Sequence, residues 1–523
     1  MNQAGTDPAP GPFRDFWERR PLLVLLVLVA GIPLLLPAVP PLVDLPGHMA
    51  RYYVELNLAE SPNLQRYYDF HWGLIGNLGV DLLIVPMARL FGLELGTKII
   101  MICIPMMLAA GFLAVARELH GRIPPTALFA LPLVYHWPFQ FGFVNFSLSA
   151  ALCFLSFALW LRLGRTGRQR MRAIIFLPLA CLIWLAHTYG WGMLGILAFA
   201  AETAARRDEG RPWHRALFEG ALGCTPLLLP FLLMVLWRSG AVQGSTGDWR
   251  LSLKLTWLIS ILRERWEVWD KASALLLIAM VLVAASGFGL RLVRTVRIAL
   301  PLLILLFLAI PRVLIGSGYA DMRLAPMFIA VGIIGISTDR PFTARHAGLI
   351  AVAGLVFFLA RIAVTTTAYR LIDMEWKAQL AALDHIERGT RVLVLTQVPC
   401  SRQWASNRIN HISSLGVPRR ELFTNGQFVL PGAQLLSLKY QGAGSFRADP
   451  SHMLRPARCG GATKIQRALA VLPGKFDYLW LPGVAPARWP SDPRLQAIWK
   501  RDNGIVYRIR AAAAPVSQTP TDG

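Results

Sequence analysis

Apolar runs separated by short basic clusters dominate the first 367 positions of the chain. A membrane-spanning helix needs about 20 predominantly apolar residues. Segments 21–39, 98–116, 124–140, 146–162, 173–188, 190–202, 216–237, 272–290, 298–315, 323–338 and 347–367 approach that pattern and predict spans. Segment 77–91 is a twelfth candidate, interrupted by Asp81 and Arg89. After Tyr369 the pattern changes. Asp373–Arg388 predicts a helix, with Asp373 as its N-cap and Gly389 just past its end. Arg391–Val398, Phe476–Leu481 and Gly504–Ile509 predict strands, and Pro490–Lys500 a helix between the last two. The expected fold is mainly α, a polytopic helical membrane bundle of about 11–12 spans with a C-terminal extracytoplasmic α/β domain. Residues 1–20 form a cytoplasmic tail, 21–367 the transmembrane domain with external loops 40–76 and 238–271, 368–511 the outer domain, and 512–523 a disordered tail.

Composition sharpens this reading. Of 523 residues, 55% are hydrophobic and 16% charged, where soluble domains average about 25% charged. An ordinary soluble enzyme is excluded. Yet 53 Lys and Arg face 30 Asp and Glu, a net charge of +23. Residues 1–367 carry 32 basic and 20 acidic side chains, and residues 368–523 carry 21 and 10, so the excess divides almost equally. In the first part the basic residues gather at Arg19–Arg20, 162–172, 206–215, 291–297 and 340–345. No cluster is interleaved with aromatics in the manner of a nucleic-acid surface, so nucleic acid is not an expected partner. The clusters mark cytoplasmic ends of spans. Counting back from the last span puts the C-terminal region outside, on the periplasmic face of a bacterial inner membrane. The same count forbids a full crossing by 77–91, which is then re-entrant or interfacial. No internal repeat is visible, which removes support for an inverted-repeat transporter. Cys400 and Cys459 in the outer domain form either a disulfide or two separate thiols.

The chemistry-bearing stretch follows the first span: PPLVDLPGHMARYY, residues 40–53. Asp44 and His48, four residues apart, can share one helical face. Equally, Asp44 can cap a helix that Pro46 opens. The same loop continues through Tyr67, Tyr68, Asp69, His71 and Trp72. Two Asp/His pairs are a candidate for a divalent metal, Mn or Zn, although the spacing matches no strong signature. His136 and His187 sit at external turns near the same membrane face, and Tyr319 precedes Asp321 and Arg323. An Arg at the mouth of a span can hold a phosphate by its planar fork, or else snorkel or pair with Asp321. Arg312, one turn inside the preceding span, is a costly intramembrane charge and therefore a functional candidate. Loop 238–271 mixes Trp249, Lys254, Trp257, Arg263 and Trp266 as an amphipathic interfacial helix would.

With a carboxylate in the first external loop, an Arg-Leu-Ala-Pro run at 323–326 and a soluble outer domain after the last span, the chain resembles the GT-C superfamily of polytopic glycosyltransferases. That superfamily includes protein mannosyltransferases and the lipid A aminoarabinose transferases. The resemblance implies a polyprenyl-phosphate-linked sugar as donor and a glycan, lipid or protein as acceptor. It makes Asp44 the general base that deprotonates the acceptor hydroxyl. His48, Arg312 and Arg323 become candidates to hold the departing phosphate; Asp69, His71, His136, His187 and Tyr319 are further substrate-binding candidates. The family's usual paired acidic residues are absent here, His48 following Asp44 instead. Alternatives from other classes are a flippase for a lipid-linked saccharide, a non-catalytic envelope assembly protein and a membrane acyltransferase.

Overall fold

A computed structural model describes residues 15–236, 246–314, 316–398, 403–447, 451–454 and 464–510. Cys400, Cys459 and the tail 512–523 lie outside the described residues. The chain divides into two compact units. One comprises Met1–Ala38, Leu74–Leu83 and Lys98–Tyr369; the other Val39–Gly73, Ile84–Thr97 and Arg370–Gly523.

The first unit is helical. Among the described residues, five helices are long and apolar enough to cross a membrane: Leu93–His120, Val144–Arg165, Gln169–Ala186, Glu267–Ser286 and Ala344–His385. A sixth candidate is the pair Trp213–Gly223 and Thr225–Val235, bent by 45°. The expected eleven or twelve is therefore not met by uninterrupted helices among the described residues, and several of the shorter elements contain a proline. A proline interrupts the backbone hydrogen-bond ladder. The first apolar run breaks into Arg20–Val29 and Ile32–Leu35, the latter opened by Pro33. The 124–140 run becomes a 3₁₀ helix, Pro125–Tyr135, containing Pro132. Arg294–Ala309 contains Pro301, and Gly79–Phe91 has 13 residues with Pro86 inside. Thirteen residues reach about 20 Å at 1.5 Å each, short of a bilayer's apolar core. Conversely, the weak 190–202 segment belongs to a 21-residue helix, Thr188–Asp208. That helix meets Val144–Arg165 so closely that a Cβ on Gly190 would lie 2.5 Å from the Ser149 carbonyl oxygen.

Three pairs of opposite charges are buried in this unit, where a low-dielectric interior favours pairing. Arg361 meets Asp270 at 2.7 Å, Arg172 meets Glu202 at 2.6 Å, and Lys254 meets Asp321 at 3.0 Å.

The second unit holds a five-stranded mixed sheet ordered Leu495–Arg501, Gly504–Ile509, Tyr478–Pro482, Arg391–Val394, Phe423–Thr424. The last three strands run parallel; the other pairings are antiparallel. The helix expected over Pro490–Lys500 is absent. Its second half is the edge strand Leu495–Arg501, whose register runs from Leu495↔Ile509 to Arg501↔Gly504. Asp502, at φ 38, begins the tight return, and a short Asp-Asn-Gly turn favours a hairpin over a helix. Asp373 starts no helix either, because Ala344–Leu380 runs straight through it.

The stretch Val39–Gly73 belongs to this unit. Its strand Tyr68–Phe70 pairs with Leu436–Leu438, and Ala50, Val54, Leu64, Tyr67 and Tyr68 share one apolar core with Leu393, Phe423, Leu479 and Ile505.

Candidate functional site

Pro46 opens the helix Leu45–Asn57, with Asp44 at the capping position. The Asp44 backbone is already helical, at φ −91 and ψ −8, and its side chain makes no capping hydrogen bond. Instead its Oδ1 faces Nε2 of His411 at 3.8 Å, both side chains largely buried. His48 follows one turn later, its N–H donating to the Asp44 carbonyl at 3.1 Å. The Phe428 ring lies edge-on to both histidines, with centroids 5.4 Å from His48 and 5.0 Å from His411. Gly47 makes this approach feasible, since a Cβ there would lie 2.2 Å from a Phe428 ring carbon. The fully buried His452 stands 5.2 Å from the His411 ring.

The segment after strand Phe423–Thr424 builds this arrangement. Asn425 accepts from the Val394 N–H at 2.7 Å and donates to its carbonyl at 3.1 Å, prolonging the sheet with a side chain. Thr424 Oγ1 accepts from the Gly426 N–H and donates to Ser413 Oγ. The Gly426 carbonyl, so placed, lies 2.9 Å from His411 Nδ1. Gln427 donates to the Gly47 carbonyl at 3.1 Å, tying this segment to the start of the Asp44 helix. Gln434 donates to the Phe428 carbonyl and accepts from Arg51, and Arg408 donates to the Pro41 carbonyl. All of these side chains are buried. A buried polar group persists when its hydrogen bonds are made, so this network fixes geometry.

Nearby in the same unit, Glu421 accepts from Arg388 at 2.5 Å, Asn63 at 2.9 Å and Tyr53 at 3.3 Å. The Arg388 hydrogen bond, outweighing the opposing effect of burial, holds its carboxyl down to about 2.

Asp69 and His71 form a separate pair at 3.0 Å, His71 being 83% exposed. Among the described residues no group of three or more His, Cys, Asp or Glu is placed to hold a metal ion, so the two Asp/His pairs do not pool into a metal centre.

Other candidates lie in the helical unit. His136 and His187 are N-caps: each Nδ1 accepts a backbone N–H at 3.1 Å, from Phe139 and Tyr189. Their rings flank Phe146, each at 5.9 Å. Arg312 is not inside a span, because helix Arg294–Ala309 ends before it. It donates to Asp248 at 2.9 Å and lies 4.8 Å from the Tyr319 ring. That hydrogen bond keeps the Asp248 carboxyl below its ordinary range. Arg323 donates to the Gly318 carbonyl and to Ser317 Oγ, each at 3.1 Å, with its guanidinium 4.2 Å from the Phe143 ring. Asp321, offered by the sequence as a partner for Arg323, is paired with Lys254. Lys254 is only 1% exposed, so helix Leu251–Ile259 does not turn it toward lipid headgroups as an amphipathic surface would.

Sequence reasoning missed His411, His452 and the 424–428 segment. The Asn425-Gly426 dipeptide is a turn signal, but nothing local ties it to Asp44.

No protein-family model matches the chain, and no curated protein matches it. Among solved structures, the chain is similar to ArnT from Cupriavidus metallidurans in the apo state, with TM-score 0.46 and 14% identity over 93% of this chain and 97% of that one. It is likewise similar to the same protein bound to undecaprenyl phosphate, with TM-score 0.46 and 12% identity over 93% and 96% of the two chains.

Proposed function

We propose that this chain is a membrane glycosyltransferase of the GT-C type that moves a sugar from a polyprenyl-phosphate donor to a hydroxyl of a cell-envelope glycolipid, polysaccharide or protein. Asp44 is the general base. The observation that carries this reading is that the Asp44 carboxylate makes no capping bond and is instead aimed at His411, in a buried polar network. A carboxylate that only capped its helix would be bonded to the backbone N–H of the first turn. The acceptor hydroxyl gives its proton to Asp44 as its oxygen bonds the anomeric carbon, and the bond from that carbon to the phosphate oxygen breaks. Polyprenyl phosphate leaves with the electron pair.

In the helical unit, Arg323, whose guanidinium stacks on Phe143, is assigned to phosphate, as is Arg312 beside Tyr319. Those assignments rest on that unit alone. Asp69 and His71, an exposed pair, and His136 and His187, which cap helices, are assigned no step of the transfer. Residues 368–511 are assigned to the periplasmic side of a bacterial inner membrane, the reading that the basic clusters between the apolar runs support.

The test is mass spectrometry of cell-envelope glycans from a deletion strain carrying the wild-type chain or Asp44→Asn. One glycan species lost on deletion should return with the wild type and stay absent with the variant at equal membrane abundance. Restoration by Asp44→Asn removes Asp44 as the base. Unchanged glycans on deletion count against the transferase reading.

A further inference from the structure

Resting on the assignment of Asp44 as base, we infer that His411 is its positioning partner, taking over the proton that Asp44 removes. The argument is one of donors and acceptors. A carbonyl oxygen only accepts hydrogen bonds. His411 Nδ1, 2.9 Å from the Gly426 carbonyl, therefore carries a hydrogen. In the neutral ring that leaves Nε2 with a lone pair, and Nε2 is the atom facing Asp44 Oδ1 at 3.8 Å. In that tautomer the Nε2 lone pair is turned toward the carboxylate, so a proton taken up by Asp44 has an acceptor on its far side. The pair is built to receive that proton.

Other groups packed around His411 hold its ring in this orientation. Phe428 lies edge-on to the ring, His452 stands behind it, and His48 lies across Phe428. Arg408 and Arg51, the cations of the surrounding network, are tied to the Pro41 carbonyl and to Gln434. The Gly426 carbonyl is itself fixed, because its N–H donates to Thr424 Oγ1 and the Thr424 hydroxyl donates to Ser413. The tautomer is thus set by a chain of bonds that ends in the sheet.

In the reaction the acceptor O–H bond breaks and its proton goes to an Asp44 oxygen. It then passes to His411 Nε2, restoring the carboxylate beside an imidazolium, and leaves from the imidazolium to water. The side chains of His411 and Asp44 retain 10% and 16% exposure.

The experiment uses the full chain in lipid nanodiscs, with peptide mass spectrometry of two covalent probes across pH. Dicyclohexylcarbodiimide labels a protonated carboxyl, and diethyl pyrocarbonate a neutral imidazole. His411→Asn keeps a donor for Gly426 and removes Nε2. With His411 absent the first proton goes to Asp44, so carbodiimide labelling of Asp44 should persist to a pH about one unit or more higher than in the wild type. Reciprocally, Asp44→Asn should let pyrocarbonate modify His411 at a lower pH than in the wild type, a readout that stands even if His411→Asn folds poorly. Transfer from undecaprenyl-phosphate hexoses by His411→Asn should show kcat reduced about tenfold or more with KM little changed. Labelling midpoints that coincide in wild type and variants overturn the pairing, even where transfer is observed. Shifted midpoints in a wild-type protein that consumes no such donor keep the coupling and overturn the transfer assigned to it.

Discussion

Asp44 illustrates how one side chain carries two readings that the sequence alone leaves level. Proline two residues on makes it an N-cap by position, and it is one, but its carboxylate makes no capping bond. Asn caps a helix as well as Asp does, and replacing a true cap by Ala costs about 1 kcal/mol. Asp44→Ala should therefore lose the buried contacts of the carboxylate, that with His411 among them, rather than a capping bond, and thermal unfolding in detergent should give a lower melting temperature for Ala than for Asn. Gly47 is the opposite case. The Cβ of Gly47→Ala would lie 2.2 Å from a Phe428 ring carbon, so the ring must move or the helix must shift. Overpacking of this kind costs about 1–3 kcal/mol, and Gly47→Ala should lower the unfolding temperature accordingly. Lys254 is buried against Asp321, and removing one partner of such a pair typically costs about 3–5 kcal/mol. Lys254→Met should destabilise strongly, and Lys254→Met with Asp321→Leu should recover much of the loss. Lys254 also shows where sequence reading fails: its Trp and Arg neighbours suggested headgroup lipid, while its burial partner lies beyond the next two helices.

At the level of elements, long uninterrupted patterns were legible and broken ones were not. The helices Val144–Arg165 and Gln169–Ala186 follow their apolar runs, and strand Gly504–Ile509 has the bounds its pattern predicts. The run 124–140 was read as a span because its hydropathy says nothing of how prolines at 124, 125 and 132 disrupt an α-helix. Leu495–Arg501 was read as a helix because its pairing partner, not its composition, decides its state. Asp69 and His71, by contrast, lie as close in space as in sequence, and exposure leaves their ion pair weak. One contact that fastens the stretch 39–73 within its unit is Glu421 with Asn63 and Tyr53, Glu421 being held in turn by Arg388. Its carboxyl is held down to about 2, below the ordinary value of an unfolded chain. A depressed carboxylate contributes stability that is fully present above its unfolded value and is lost as pH falls toward its folded one. Melting temperature should thus decline between roughly pH 5 and pH 2, and Glu421→Gln should flatten part of that decline. An unchanged slope in the variant would show that other carboxylates set it.

Taken as a whole molecule, the chain combines a helical unit, with five or six candidate spans among the described residues, and a unit built on a mixed sheet. Membrane character, the change of composition near Tyr369 and the strands Arg391–Val394, Tyr478–Pro482 and Gly504–Ile509 could be read from the sequence because they are local patterns. The assembly of Val39–Gly73 with Arg370–Gly523 into one unit could not, since it depends on contacts such as Tyr68 against Leu438 between distant stretches. For the same reason Asp44 was identified and His411 was not. The central claim is that Asp44 acts as the base of a sugar transfer from a polyprenyl-phosphate donor. It is tested most directly by incubating the purified wild type and Asp44→Asn with a panel of undecaprenyl-phosphate hexoses and envelope extract, and measuring the undecaprenyl phosphate released. The wild type should release it from one donor, and Asp44→Asn should be slower by about a hundredfold or more, the scale of lost general-base catalysis. Equal rates of release by the two proteins would contradict the account.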